Sequence, residues 1–364
     1  LTMEAGMDVI GIDVGFGFTK ASDGHQNVIF KSLIGEQADI QFQTEFEDLS
    51  QDKNLHIKIE DEPYFVGDLA EKQSTVREFT LDQSKLIANH LKVLALTATA
   101  ACAGDNVSLH VISGLPVAYF KRDAKKFKDQ LTGTHNLTTY SRNGKAAAKM
   151  VHIASVKLVP QPMGSFFNLL MDSTGHIVNR QLTKQKVGIV DIGFRTSDFI
   201  ILDRFRYIER GSATVDTGIS KCFTAIANKL RQRSGVTVEL YRLYDAVRTG
   251  TIRIKGKEYT ISALRDKVYA HYAGSIADDI NRLWESEWDL DTIILTGGGA
   301  TELAKHLHPL IDGNVIPVEN ESDARLNNVL GYIKYGKFDL NRHAQPQQSK
   351  ANEARANGVK PGQE

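Results

Sequence analysis

Two short phrases, Ile12-Asp13-Val14-Gly15-Phe16 and Val190-Asp191-Ile192-Gly193-Phe194, stand 178 residues apart (13 to 191) in a chain of 364. Each follows a run of branched apolar residues and opens three short strand-like segments, over 7–31 and 186–214. Either phrase alone reads most simply as a β-hairpin, with strand formers leading into a glycine turn. A second copy half a chain away is a far stronger constraint. It is the footprint of a duplicated domain, with one Asp-x-Gly hairpin in each half.

Two such hairpins facing each other across a cleft can hold a polyphosphate from both sides, with turn N–H groups as donors. In the first copy Lys20 adds a point charge; in the second, Asp198 falls near the equivalent place. Two carboxylates beside phosphates, Asp13 and Asp191, repel them unless a cation lies between. Mg²⁺ suits that position, because it keeps several waters and takes few direct carboxylates. A third element is ILTGGGA, Ile294 to Ala300. A strand running into Gly297, Gly298 and Gly299 lets backbone approach a flat ligand such as a purine with its ribose.

The length suggests two domains. Lys plus Arg equals Asp plus Glu at 44 each, so no broad basic face is available for direct nucleic-acid binding. Cys102 and Cys222 form no CxxC pair and read as buried free thiols in a reducing compartment. The histidines show no metal-ligand spacing, and His306 and His308 read as surface residues at a helix end. The most apolar stretch, 91–103, contains Lys92 and is too short to span a bilayer; it reads as part of a buried helix over 82–103. With no secretory signal visible, these features predict a cytoplasmic protein with no membrane partner. From Asn341 onward the chain lacks aromatic residues and predicts a disordered tail.

The order Asp13-x-Gly15, Gln161, Asp191-x-Gly193, Gly297-Gly298-Gly299 resembles that of the actin, heat-shock-70 and sugar-kinase superfamily. Four further phrases are similar to those of bacterial and archaeal actin-like proteins, especially the plasmid-segregation ParM/StbA type. They are YFVGDLA (64–70), ISGLPVAYF (112–120), VPQPMGSF (159–166) and LNNVLGY (326–332), and the resemblance covers roughly Val9 to Phe338. It implies an α/β fold of duplicated actin-like (ribonuclease H-like) domains around a nucleotide cleft. Domain I would be 1–160, with a final helix over 322–338 packing back on it; domain II would be 161–321, and 339–364 the tail.

The resemblance also implies ATP or GTP with Mg²⁺. Asp13 and Asp191 would hold the metal through water and organise the attacking water. Gly15, Phe16 and Gly17 would present amides to the phosphates, with Lys20 pairing beside them. Gly193, Phe194 and Thr196 would form the second phosphate loop, Gly297 to Gly299 would line the adenosine site, and Asn228 would reach the ribose. Gln161 would orient the attacking water, a role that suits a neutral amide able to donate and accept hydrogen bonds. One departure stands out: Phe16 occupies the place where many members carry a serine hydroxyl near the terminal phosphate.

The function so implied is a nucleotide-driven filament of subunits stacked head to tail, with hydrolysis weakening the contacts. A segregation role would need a DNA-binding adaptor protein, because this chain has no basic face. Two other readings on the same fold stay open: a small-molecule kinase, and a nucleotide-binding scaffold that does not polymerise. No phrase here marks the carboxylate base that a kinase places beside its acceptor.

Overall fold

The computed structural model describes residues 7–39, 55–105, 107–317 and 323–356. The first half builds one ten-stranded sheet. Its strands are β1 (Asp8–Val14), β2 (Phe18–Ser22), β3 (Asn27–Lys31), β4 (Ile34–Glu36), β5 (Leu55–Ile59), β6 (Glu62–Val66), β7 (Arg77–Glu78), β8 (Ser108–Leu115), β9 (Gly133–Tyr140) and β10 (Ala146–Pro160), in the order β3-β2-β1-β8-β10-β9-β5-β6-β4-β7. The second half builds a five-stranded sheet from β11 (Lys186–Ile192), β12 (Ser197–Asp203), β13 (Arg206–Val215), β16 (Thr292–Thr296) and β17 (Val315–Pro317), in the order β13-β12-β11-β16-β17. A separate hairpin joins β14 (Thr251–Ile254) to β15 (Lys257–Thr260).

Both sheets share one plan. A three-strand antiparallel meander has its first strand flanked on the other side by parallel strands, β1 by β8 and β10, and β11 by β16 and β17. The sequence repeat is therefore a repeat of topology.

The helices are α1 (Asp68–Gln73), α2 (Gln83–Lys85), α3 (Leu91–Cys102), α4 (Phe120–Leu131), α5 (Met163–Leu170), α6 (Ser220–Ser234), α7 (Tyr244–Thr249), α8 (Ser262–Trp284), α9 (Gly298–Leu307) and α10 (Asn327–Ala356). The helix expected over 82–103 is broken by a π-helical turn, Leu86–His90. The irregularity falls where Leu86 and Ile87 reach the central cleft, in keeping with the frequent placement of such bulges at functional sites.

Successive strand residues point to opposite faces. Ile10 and Ile12 of β1 pack into the core beneath α3, whereas Val9 faces the other way. In β11, Val190 and Ile192 pack beneath α6, α8 and α9, whereas Val187 and Ile189 face the middle of the molecule. That middle layer is α5 and α10, which lie between the two sheets and bury Phe166, Leu170, Val329 and Tyr332. Strands covered on both faces carry continuous apolar runs, the property that made β1 and β11 conspicuous in the sequence. The two middle helices touch at Gly164 and Gly331: a Cβ on Gly331 would strike the Gly164 carbonyl, and one on Gly164 would lie 2.7 Å from Asn328 Cα.

The C-terminal segment differs from its expectation. Asp339 is buried, 2.5 Å from Lys157 Nζ and 3.6 Å from His110 Nε2, and Phe338 and Leu340 join the middle core. The helix then continues to Ala356. Composition read alone forbids a core here, but extending a docked helix adds one hydrogen bond per residue without a new nucleus. Residues 357–364, Ser322 and the first six residues lie outside the described residues. Cys102 and Cys222 are buried and in no disulfide. Among the described residues no helix is long and apolar enough to cross a membrane.

Candidate functional site

The two hairpins close with the same turn. The Gly15 N–H donates to the Phe18 carbonyl at 3.2 Å, and the Gly193 N–H to the Thr196 carbonyl at 2.8 Å. The tip residues Phe16 and Gly17, and Phe194 and Arg195, carry N–H groups outside both the strand ladder and the turn bond. Each turn is braced from behind. Ser32 Oγ donates to the Gly15 carbonyl at 2.5 Å. The N–H groups of Gly218, Ile219 and Ser220, at the start of α6, donate to the carbonyls of Arg195, Gly193 and Phe194. Fixing the carbonyl side of each turn leaves the tips to face a cavity of about 670 Å³ between the halves. Asp13, Gly15, Phe16, Gly17, Lys20, Gln161, Asp191, Gly193, Phe194, Thr196 and Gly297 to Gly299 all line it.

Asn228 does not. It sits exposed on α6, outside the cleft lining. That helix buries Cys222, Phe223, Ile226 and Leu230, and a residue two past Ile226 points away from that face. The ribose assignment therefore falls.

The strand register places Asp13 opposite Lys20 and Asp191 opposite Asp198. In the first copy the acid is matched: Lys20 Nζ lies 2.8 Å from Asp13 Oδ2. In the second copy acid meets acid. Burial, and then the charge on Asp13, raises the Asp191 carboxyl to about 6 against the donor bond from Asn328 Nδ2 at 2.8 Å. Burial, and then the charge on Asp191, raises Asp198 to about 7. Asp198 accepts from Thr214 Oγ1, from Thr196 Oγ1 at 3.3 Å and from the Val117 N–H at 2.9 Å, so it ties β12 to the start of the turn that follows β8.

A folded-state value raised above the unfolded one means that the folded protein holds a proton the unfolded chain releases. Stability from such a group falls as pH rises from about 4 to about 7. The ligand-free protein is expected to lose ~5 °C in melting temperature over that window relative to Asp198→Asn, which cannot titrate. Parallel melting curves of the two proteins against pH would remove Asp198 from this role.

The pair Asp13 and Asp191 fits a divalent cation that arrives with a ligand. Among the described residues no group of three His, Cys, Asp or Glu side chains could hold a metal by itself. Two buried carboxylates could accept hydrogen bonds from the waters of a Mg²⁺ ion whose remaining ligands come from phosphate, in keeping with an ion that retains much of its hydration. Gln161 Nε2 stands 3.5 Å from Asp13 Oδ1. The Gln161 backbone is pinned independently, its N–H to the Leu115 carbonyl at 2.9 Å and its carbonyl to the Tyr332 hydroxyl at 3.2 Å.

Gly297 has φ +91°, and a Cβ there would strike Asp191 Oδ1; one on Gly299 would lie 2.8 Å from the Ile192 carbonyl. Two of the three glycines are thus demanded by the close pass against the second hairpin. Gly298 faces the Arg325 side chain.

Several cleft residues escaped the sequence reading. Asn328 donates to Asp191 while its Oδ1 accepts from the Ser165 N–H at 3.1 Å and Ser165 Oγ at 2.7 Å. Ser165 Oγ in turn meets Thr296 Oγ1 at 2.6 Å. This chain of bonds locks α10, α5 and β16 to the second hairpin. Both residues lie in phrases singled out in the sequence, LNNVLGY and VPQPMGSF, without a role. Arg195, Tyr244 and Arg325 also line the cleft, and the Arg325 guanidinium stacks 4.6 Å from the Phe18 ring centroid.

Two sheets of one duplicated plan, separated by a pair of middle helices and joined across a cleft by paired Asp-Gly hairpins, define the actin-like class of α/β protein. The family model for the N-terminal domain of actin-like proteins matches residues 11–164, and that for the C-terminal domain of the archaeal MreB-like actin homologue matches 189–309. The chain belongs to the actin-like family. No curated protein sequence matches it. Among solved structures it is similar to the subunit of a 15-stranded ParM filament from Clostridium botulinum, with 21% identity and a TM-score of 0.76 over 92% of this chain and 99% of that one. It is also similar to a non-polymerisable quadruple mutant of pCBH ParM (23%, TM-score 0.74, 90% and 98%). The third is the archaeal actin homologue Ta0583 in complex with ADP (18%, TM-score 0.74, 91% and 99%). At these identities the likeness is one of fold.

Proposed function

We propose that this chain is a nucleotide-dependent filament protein. It binds ATP or GTP with Mg²⁺, hydrolyses the terminal phosphate, and serves plasmid or other DNA segregation, or another cytoskeletal task. The observation that carries this reading is the facing pair of identical turns, with Asp13, Asp191 and Gln161 between them. The shared fold of a ParM filament and of an ADP-bound archaeal actin homologue supports it.

The residues divide the work. The tip amides and Lys20 receive the phosphates. Asp13 and Asp191 orient the water shell of Mg²⁺, which when bound neutralises phosphate charge. Gln161 positions the attacking water. Gly297 to Gly299, Tyr244 and Arg325 border the nucleoside end of the cleft. Segregation requires a DNA-binding adaptor, since the formal charge is zero.

Electron microscopy and light scattering, run beside phosphate release without any acceptor, test the proposal. Polymers are expected only with nucleotide and Mg²⁺. Monomer alone at high protein concentration, across salt conditions, would overturn the filament and leave the scaffold; turnover that requires an added acceptor would leave the kinase.

A further inference from the structure

We infer that Arg195, laid against the ring of Phe16, is the residue that recognises the terminal phosphate and stabilises the charge developing on it. The inference rests on the nucleotide reading above and deepens it.

Arg195 stands at the tip of the second hairpin, but its guanidinium crosses to the first half. Its Cζ lies 5.1 Å from the Phe16 ring centroid and 6.0 Å from that of Tyr119. Its main chain cannot drift, because its carbonyl accepts the Gly218 N–H at 2.9 Å and a Cβ on Gly218 would strike it. Nη2 has the largely exposed Asp216 carboxylate at 3.4 Å. Nη1 is buried and has no hydrogen-bond partner among the described residues. The guanidinium as a whole keeps Asp216 and a fifth of its side-chain surface, but the Nη1 donors are unmet, and an unmet charged donor on a residue lining a cleft points to an incoming oxygen. A planar guanidinium recognises phosphoryl oxygens with parallel donors.

Phe16 gives this arrangement its logic. It is buried at 6% exposure in the core of the first half, so its ring forms a dry wall behind the guanidinium and favours a cation over its face. A serine at that position could offer one hydroxyl from one hairpin. The Phe16–Arg195 pair instead supplies a cation from the other hairpin. The terminal phosphate then bonds the second half directly and the first half through Phe16, and a diphosphate lacks that link. Arg195 is the group that touches substrate; Phe16 is a positioning residue.

The test compares wild type with Arg195→Gln, Arg195→Lys and Phe16→Leu. It measures affinity for nucleoside diphosphate and for a slow triphosphate analogue, both with Mg²⁺, together with single-turnover phosphate release and melting temperature. Arg195→Gln is expected to cut the triphosphate-over-diphosphate preference and phosphate release by about ten- to a hundredfold, with diphosphate affinity and melting temperature unchanged. Arg195→Lys should recover only part of the loss, because an ammonium lacks the planar fork. Phe16→Leu keeps apolar volume but removes the π face, and should lower the preference by about threefold. An unchanged preference and rate in Arg195→Gln overturns the inference. So does a matched fall in both affinities with a lower melting temperature, which assigns Arg195 to folding. If wild type binds neither nucleotide, the nucleotide reading itself fails, an outcome separate from either of these.

Discussion

Gln161→Ala is expected to slow phosphate release about ten- to a thousandfold, a loss of roughly 1.4 to 4 kcal/mol of transition-state stabilisation, while nucleotide affinity stays within about threefold. The main chain at Gln161 is held by the Leu115 carbonyl and the Tyr332 hydroxyl, and the substitution leaves both bonds intact. The side-chain amide makes a long 3.5 Å contact with Asp13 Oδ1, whose other oxygen is held by Lys20. Its removal therefore unpairs no buried charge, and the fold should tolerate it. A neutral amide can orient a water yet adds little to ground-state binding, so the rate should fall without the affinity. Polymers, if formed, should persist longer in the triphosphate state. Affinity, single-turnover release and melting temperature on one preparation decide the matter. Normal release from a folded variant removes Gln161 from the chemistry; a joint loss of binding, rate and stability makes it structural.

A larger loss is expected at Asp191. Asp191→Asn should bring Mg²⁺-dependent hydrolysis down to background, more than about a thousandfold, because an amide gives the hydrated cation no negative charge and one acceptor oxygen instead of two. Asp13→Ala should do the same. The physical contrast lies in stability. Asp191 is buried, and its burial and the nearby Asp13 raise it to about 6, so at pH 8 its ionised form is held at a cost. Replacing it by the isosteric amide relieves that cost. The ligand-free variant should melt no lower than wild type at pH 8, and should lose the extra stabilisation that Mg²⁺ adds to nucleotide binding. Undiminished turnover in Asp191→Asn or Asp13→Ala sinks the metal assignment. A variant that melts well below wild type at pH 8 would show that Asp191 holds the fold together rather than straining it.

Much of this architecture is legible in the sequence because it is written in local patterns. The hairpins announce themselves through strand formers, an acid and paired glycines. The doubly covered strands β1 and β11 announce themselves through continuous apolar runs. The duplication follows from comparing the chain with itself, and two sheets of one plan follow from the duplication.

Local patterns along the chain thus specify the repeated unit and most of the residues that line the cleft. Tertiary structure decided the rest, because the deciding contacts join residues far apart in the chain. Asn328 reaches Asp191, Asp198 reaches the Val117 N–H, and Arg195 reaches the Phe16 ring, each across more than 80 positions. No periodicity encodes such pairs. Asn228 fails for the opposite reason: the family resemblance implied the ribose, but the apolar face of α6 turns this residue to solvent. Gly297 was legible as a glycine but not as one squeezed against Asp191. The segment from Asn341 onward looked disordered by composition, and the ion pair of buried Asp339 with half-buried Lys157 anchors the helix that runs into it. A side chain's partner is set by where the whole chain brings it, and only packing of the two halves on α5 and α10 supplies that information.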